Sequence, residues 1–437
     1  LEIVMPSDSS PAETMRLAAA YGDLDAVSEV GRRGLGLPHS RIPLYGIILA
    51  GGLSLFGNAV AGVVLPWIVL SLTGNAAWTG FAAAAGMMPL VIGAFFGGPI
   101  VDRFGSRVVA VTADLASAFS VAAIPLLMMA GQLDIVLLIG LIVIGALLDG
   151  PGMIAHDARV PELARVARMP IERVTSIDEL LENTALIFGP PVAGIAIAAF
   201  GIEYALLITA GCSLLAAIIG AICLPRHRRR ITDRDKGGVA LAGLRFLLTE
   251  PLLRLMLVVA MVMLAVFGAL NAVVLPVLFK VSGADVLDLG LFLAVSGAGA
   301  AFSAVTFAIW GHAWNGRIVL LAGISGATLA IGLIALIETG PYLFFAAALI
   351  GLSTGALGPL ANTMFLKRAP ASIRGSVLGT TAAIAMMATP LAVLIAGFGM
   401  EAVGPALFLW GLTATLCWLV LWVLLSQVAR MLGKSPP

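Results

Sequence analysis

Charge is what this sequence has least of. Only 11% of its 437 residues are Asp, Glu, Lys or Arg, against roughly 25% in a soluble globular domain. So few charges cannot clothe a water-facing surface, and a mean hydropathy of +1.07 points the same way: the chain is an integral membrane protein. The net charge of +1 creates no field for nucleic acid, and no nucleic-acid partner is expected. Cysteine is scarce too. Cys212, Cys223 and Cys417 lie far apart in apolar runs without CxxC or other ligand spacing. They read as small packing residues, so neither metal nor cofactor is expected. The sequence also lacks a P-loop, a Ser/His/Asp constellation and zinc spacing. That leaves no enzyme signature, and no route for ATP to drive anything from within the chain.

What the chain has instead is long apolar runs. A hydrocarbon core about 30 Å thick needs roughly 20 apolar residues of helix. Twelve runs meet that need: 43–72, 78–101, 108–130, 135–155, 178–200, 202–224, 255–279, 289–310, 317–337, 341–364, 374–398 and 402–427. Residues 1–41 mix acids and arginines ahead of the first run, which is too long for a signal-peptide core of about 7–15 residues. They are expected to form a flexible cytoplasmic arm, with residues 428–437 as a short cytoplasmic tail.

The few charges that exist are sorted. With the N-terminus placed in the cytoplasm, 24 of the 25 Lys and Arg fall on inner segments and only Lys280 falls outside. The outer turns hold Asp134, Glu203, Asp285, Asp288, Glu338 and Glu401. The positive-inside rule therefore puts both termini in the cytoplasm. The longest inner connection, 225–254, opens with PRHRRRITDRDKGG, a basic linker suited to anionic lipid headgroups. Its GLRFLLTEPLLR stretch at 243–254 is amphipathic and is expected to lie along the membrane surface.

The linker divides the chain into two sets of six spans, 42–224 and 255–427, and the sets echo each other. FGNAVAGVVLPWIV at 56–69 parallels FGALNAVVLPVLF at 267–279, placing Pro66 on Pro276 at an offset of 210. The same offset places Arg107 on Arg317. Two six-helix halves with weak parallel similarity are the mark of a rocking transporter with its path between the halves. A channel or membrane enzyme has no particular need of such duplication.

Residues 97–109, GGPIVDRFGSRVV, form the inner turn between spans two and three. Gly98 suits a close helix–helix approach, Asp102 a cap or pair at the membrane edge, and Gly105 a tight reversal. Arg103 and Arg107 are placed to reach that carboxylate or lipid phosphates. In its Gly98, Ile100, Asp102, Arg103, Gly105 and Arg107, the stretch resembles the loop-two signature of the major facilitator superfamily, G-x-L-x-D-R-x-G-R-K. Ile stands for Leu and Ser106 for the first basic residue. The resemblance spans about 42–427. It implies an all-α integral membrane fold of twelve transmembrane helices in two pseudo-symmetric six-helix bundles. It also implies a cytoplasmic gate in which Asp102 meets the start of span eleven at Arg374. Within that superfamily, FGNAVAGVVLPWIVL and IDELLENTALIFGPPVAG look most like the macrolide-efflux and mycobacterial multidrug pumps. GPPVAG, with Gly189, Pro190 and Gly194, is similar to an antiporter signature of span five. It also reads as a bend that packs span five on span one.

Ionisable residues inside a span are functional candidates. Asp114 lies two turns into span three, Asp149 near the inner end of span four and Glu182 near the inner start of span five. With His156, Asp157 and Arg159 they are expected to form a cluster with Arg103 and Arg107. That cluster is either a conformational gate network or a proton-coupling site, with Asp114 the leading carrier. No carboxylate lies deep in a span after Glu250, and His312 occupies the repeat position of Asp102, so coupling falls to the first half. Asn58 and Asn271, near mid-membrane, either line a cavity or join helices. The related pumps often carry an acid near position 58, where Asn cannot titrate. Met87–Met88 and Met386–Met387 offer adaptable apolar surface.

These features together read as a monomeric exporter of small hydrophobic or amphipathic molecules in a bacterial inner membrane, exchanging them for protons amid membrane lipids. A lipid or lysolipid flippase, a siderophore exporter and a non-transporting sensor are the alternatives.

Overall fold

The computed structural model describes residues 41–433 except 158, 161–162, 165–166, 168, 224–235, 337–339, 341 and 371–372. The arm at 1–40, most of the basic run at 224–235 and residues 434–437 thus lie outside the described residues. Among those described, helix is the only regular structure. A chain this apolar has little choice: in hydrocarbon every backbone N–H and C=O must find its partner within the segment, and the helix achieves that.

Six helices precede the linker: α1 (Ile42–Thr73), α2 (Ala76–Phe104), α3 (Ser106–Met129), α4 (Ile135–Asp157), α5 (Ile171–Phe200) and α6 (Ile202–Cys223). After it come a short α7 (Lys236–Thr249) and then α8 (Pro251–Val281), α9 (Val286–Trp310) and α10 (Gly316–Leu336). The chain finishes with α11 (Tyr342–Thr354) and α12 (Leu357–Arg368), which share one span, then α13 (Arg374–Val403) and α14 (Pro405–Leu425). Among the described residues, eleven helices are long and apolar enough to cross a membrane. In α5 the stretch Ile187–Phe200 is apolar, and the first half of that helix carries Arg173, Asp178, Glu179 and Glu182.

Turns are punctuated as local chemistry requires. Gly74, at φ 63°, closes α1 in the left-handed region, and Asn75 then opens α2 by accepting from the N–H groups of Ala77 and Trp78. Gly105, at φ 85°, makes the reversal after α2. The amphipathic stretch at 243–254 does not form one surface helix. α7 stops at Thr249, Glu250 is extended, and Pro251 starts α8, as proline favours a first helical turn. α7 lies against α13 with Leu247 fully buried.

The two sets pack alike. In the first, α2 and α3 lie on α4, α3 and α1 on α6, and α1 on α5; in the second, α8 lies on α13, α9 on α11, and α10 on α11 and α14. Small residues make the tightest contacts. Gly93 and Gly97 let α2 lie against Pro151 of α4. Gly351 and Gly355, spaced as GxxxG, press α11 onto the backbone of α9 at Ser296 and Ala300. Outward-facing side chains such as Ile222, Phe119, Val136 and Leu425 are exposed, as a surface in contact with lipid tails allows.

The repeat offset has a structural counterpart. Arg107, opening α3, donates to the carbonyl of Ala221 at the end of α6. Arg317, opening α10, donates to the carbonyl of Leu424 at the end of α14 over 2.8 Å. Each guanidinium satisfies a carbonyl that a helix terminus leaves without an intrahelical partner and sits at the negative end of that helix's dipole.

Candidate functional site

Two ends of the bundle are distinguished by their connections. The basic end carries the α2–α3 turn, the α6–α7 linker and the α12–α13 turn; the acidic end carries the α1–α2, α5–α6 and α13–α14 turns. Among the described residues, every glycine contact that joins the two sets lies between mid-depth and the acidic end. Gly80 of α2 meets the backbone of Gly397 of α13, Gly194 of α5 meets Gly290 of α9, and Gly297 of α9 meets Ile187. Two polar links reinforce this seal. Lys280 donates to Ser71 Oγ at 2.5 Å and lies over the Trp67 ring at 5.0 Å. Glu401 accepts from the N–H of Ala76 at the start of α2. On α9 the buried residues Val286, Leu289, Gly290 and Phe292 all belong to the acidic end.

Gly189, Pro190 and Gly194 act on both neighbours of α5. Gly189 lies against Ala59 of α1, while Pro190 and Gly194 approach Gly290 of α9. The bend therefore packs span five on span one and also closes the acidic end against the second set.

At mid-depth on the second set is a cavity of about 400 Å³ bounded by Met263, Phe267, Gly268 and Asn271 of α8, Gly358 of α12 and Thr389 of α13. Asn271 stands exposed in a π turn, Leu270–Val274. Such turns recur at functional sites because they break the regular hydrogen-bond ladder. Among the described residues, no charged side chain lines this cavity. Asn58 is exposed on α1. Gly51, Ser54 and Asn58 follow one another at spacings of three and four, so they share a single stripe of α1. Met87 packs against the apolar core and Met386 is half-buried; the exposed members of the methionine pairs are Met88 and Met387.

The stripe on α1 faces charge. Ser54 is hydrogen-bonded to Asp114 of α3, and Asp114 lies close enough to Asp149 and His156 of α4 for their charges to interact. His156 pairs with Asp178 of α5, Nε2 to Oδ1 at 3.3 Å, and its ring fills the notch left by Gly51, where a Cβ would come within 2.5 Å of it. Asp114, Asp149, His156 and Asp178 are all half-buried. The backbone of Glu182 lies on α5 one turn beyond Asp178, but its side chain is outside the described residues. The same holds for the side chains of Asp102, at the end of α2, and Arg374, at the start of α13, and for the packing of Gly98.

Each of the arginines near this cluster has at least one contact of its own. Arg107 caps α6, Arg103 lies over the Phe104 ring at 5.4 Å, and Arg159 donates to Ser106 Oγ at 2.5 Å. Asp178, Ser54 and Gly51 were not singled out in the sequence. One signal was present: Asp178 and Glu182 stand four apart, on one face of a helix otherwise destined for lipid.

Twelve helices in two matched sets, a neutral cavity in one and an acid–histidine cluster in the other, define a secondary transporter of the two-bundle type. Comparison with known proteins makes this specific. The profile of the Major Facilitator Superfamily matches residues 47–277. The chain is 30% identical over 372 residues to the multidrug efflux pump Tap of Mycolicibacterium fortuitum, covering 83% of this chain and 90% of the pump. It is 31% identical to the pump of the same name from Mycobacterium tuberculosis H37Rv, covering 84% and 88%. Among solved structures, the nucleoside transporter NupG matches with a TM-score of 0.72 at 13% identity, over 90% of this chain and all of that one. A D-xylose–proton symporter matches at 0.66 and 16%, over 88% and 97%. The chain belongs to the major facilitator superfamily.

Proposed function

We propose that this protein exports lipophilic or amphipathic small molecules, in the manner of a multidrug pump, by alternating access coupled to inward proton flow across a bacterial inner membrane. The basic end then faces the cytoplasm, and the conformation described is the one closed to the outside. The observation that carries the reading is the division of labour between the halves. The cavity at Asn271 is neutral and apolar, suited to greasy molecules of varied shape, while the titratable groups gather opposite it around Asp114.

The proposed link between the two sites is α1. Asn58 lies one turn from Ser54, whose hydroxyl is bonded to Asp114. A proton on Asp114 removes a charge from beside that stripe of α1, and a proton lost restores it. Protonation thereby biases which end can close, and a substrate that binds one arrangement more strongly shifts the same equilibrium. Asp149, beside Asp114, shares the charge. Asp102 and Arg374 are proposed to latch the cytoplasmic end when the outer end opens.

Dye accumulation in cells tests this directly. Cells making the wild type should hold less ethidium, rhodamine 6G or Hoechst 33342 than controls, and a protonophore should erase the difference. Asp114→Asn should reach the membrane yet leave accumulation at the control level. A wild type that lowers none of these dyes, or that still lowers them with the proton gradient collapsed, would overturn the reading.

A further inference from the structure

Proton-coupled transport needs a path as well as a carrier. Asp114 is set two turns into α3, and a proton that leaves it towards the basic end must reach water there. His156 stands between, about two helix turns closer to that end along α4 than Asp149. Its ring is held on three sides: by Asp178 of α5 at 3.3 Å, by the backbone notch at Gly51 of α1, and by its own helix. The pair is also partly exposed, with side-chain exposures of 19% for His156 and 29% for Asp178. The titratable groups that interact with the imidazole are Asp114 from α3, Asp157 from α4 and Asp178 from α5, with Asp149 beside Asp114; α1 contributes Ser54 and the notch.

From this geometry we infer that His156, positioned by Asp178 and seated in the Gly51 notch, is the proton's exit relay on the basic side. The inference rests on the proton-antiport reading above and goes further by naming the residue that handles the proton between carrier and water. With Nε2 turned to Asp178, Nδ1 is the nitrogen left to accept. The carboxyl O–H of Asp114 gives its proton to Nδ1, leaving a carboxylate and an imidazolium. The Nε2 proton then passes to Asp178 or directly to water, and the imidazole returns to neutral. No bond to carbon changes and no oxidant is needed. Imidazole suits the step because its ordinary pKa lies near physiological pH, and a relay group works best when it both takes and gives at the working pH. A purely structural pair would hold α4 to α5 without regard to protons.

The test uses the full chain in proteoliposomes with an internal pH dye, and the exported dye found above as substrate. His156→Gln and Asp178→Asn keep nearly the same shape; Gly51→Ala displaces the ring without touching a titratable group. Dye–dye exchange, which moves no net proton, should stay within twofold of wild type for all three. Gradient-driven transport and its accompanying proton flux should fall at least tenfold, and the pH profile of that transport should change shape. Wild-type rates of driven transport in His156→Gln overturn the relay, and equal losses of exchange and driven transport make the pair structural and overturn it too. A wild type that shows no proton flux defeats the antiport reading instead, a distinct outcome. Histidine NMR of the purified protein adds a readout that needs no substrate. The shift of His156 against pH should follow a different curve in Asp178→Asn and in Asp114→Asn, and curves unchanged in both would overturn the proposal.

Discussion

The two halves of this molecule are built alike and equipped differently. Arg107 and Arg317 stand 210 residues apart and do the same work, each closing a helix terminus, at Ala221 and Leu424. Seven residues further along each helix the equivalence ends. Asp114 of α3 bonds to Ser54, while its counterpart on α10, Ile324, is fully buried in the apolar core. Ser54 itself corresponds to Leu264, which lines the neutral cavity. What the halves share is therefore the hydrogen bonding that a buried backbone demands, and what separates them is the chemistry of protons. A duplicated fold can lose charge from one copy at no structural cost. It cannot lose the arginine that satisfies a helix end.

The sharpest way to break this comparison is to make the second half resemble the first. Ile324→Asp places an acid at a fully buried apolar position, with Leu264 standing where the first half has Ser54. An Asp at the centre of a membrane helix costs about 3 kcal/mol on insertion scales, and the lost packing of a buried Ile adds roughly 2–5 kcal/mol more. Little folded protein should be recovered, as size-exclusion chromatography in detergent would reveal. Asp114→Asn, by contrast, should elute normally with a thermal midpoint within a few degrees of wild type. If Ile324→Asp folds as well as wild type, the second half holds polar partners that its apolar core does not display.

A smaller effect separates scaffold from chemistry. Arg107→Ala and Arg317→Ala each remove a charged hydrogen bond to a helix terminus, a contact worth about 1.5–3 kcal/mol. The two substitutions should lower the thermal midpoint by similar amounts, and combined they should add, because the sites lie in different halves. A loss confined to Arg107 would show that the arginine of the loop-two motif does more than cap α6.

Most of the architecture was legible because the membrane enforces it. Long apolar runs, the sorting of charges and the offset between Pro66 and Pro276 all follow from what a bilayer tolerates. The site was legible only in part. Asp114 and Asp149 stood out because an acid inside an apolar run is conspicuous by itself. Their surroundings did not, since nothing local in sequence says that Gly51 makes room for a ring more than a hundred residues away, or that Asp178 will meet it. Arg107 was legible as a basic residue near Asp102, but that it reaches the carbonyl of Ala221 at the end of α6 is visible only in three dimensions. The methionines erred by register: adjacent residues on a helix point about 100° apart, so composition named the pairs and not which member is exposed.

Lys280 gives the smallest and most discriminating prediction. In the topology read from charge it is the one cation on the acidic side, and it belongs to the half otherwise poor in buried charge. Its repeat counterpart, Leu70, is buried, so this feature too is absent from the other copy. The ammonium reaches across to Ser71 and the Trp67 ring, and a cation–π contact at such a position contributes about 0.5–1 kcal/mol. The glycine contacts of Gly80 with Gly397 and of Gly194 with Gly290 involve backbone against backbone and hold the seal whether or not Lys280 is present. Lys280→Ala should therefore leave folding and dye binding intact while raising the fraction of molecules open at the acidic end by roughly two- to fivefold. Spin labels at the exposed Leu72 and Val281 would read that fraction as a second, longer distance. Lys280→Arg should restore the wild-type distribution, since a guanidinium also stacks on indole. If Lys280→Ala leaves the distances unchanged, the seal is made by glycine packing alone, and the asymmetry between the halves is confined to the proton site.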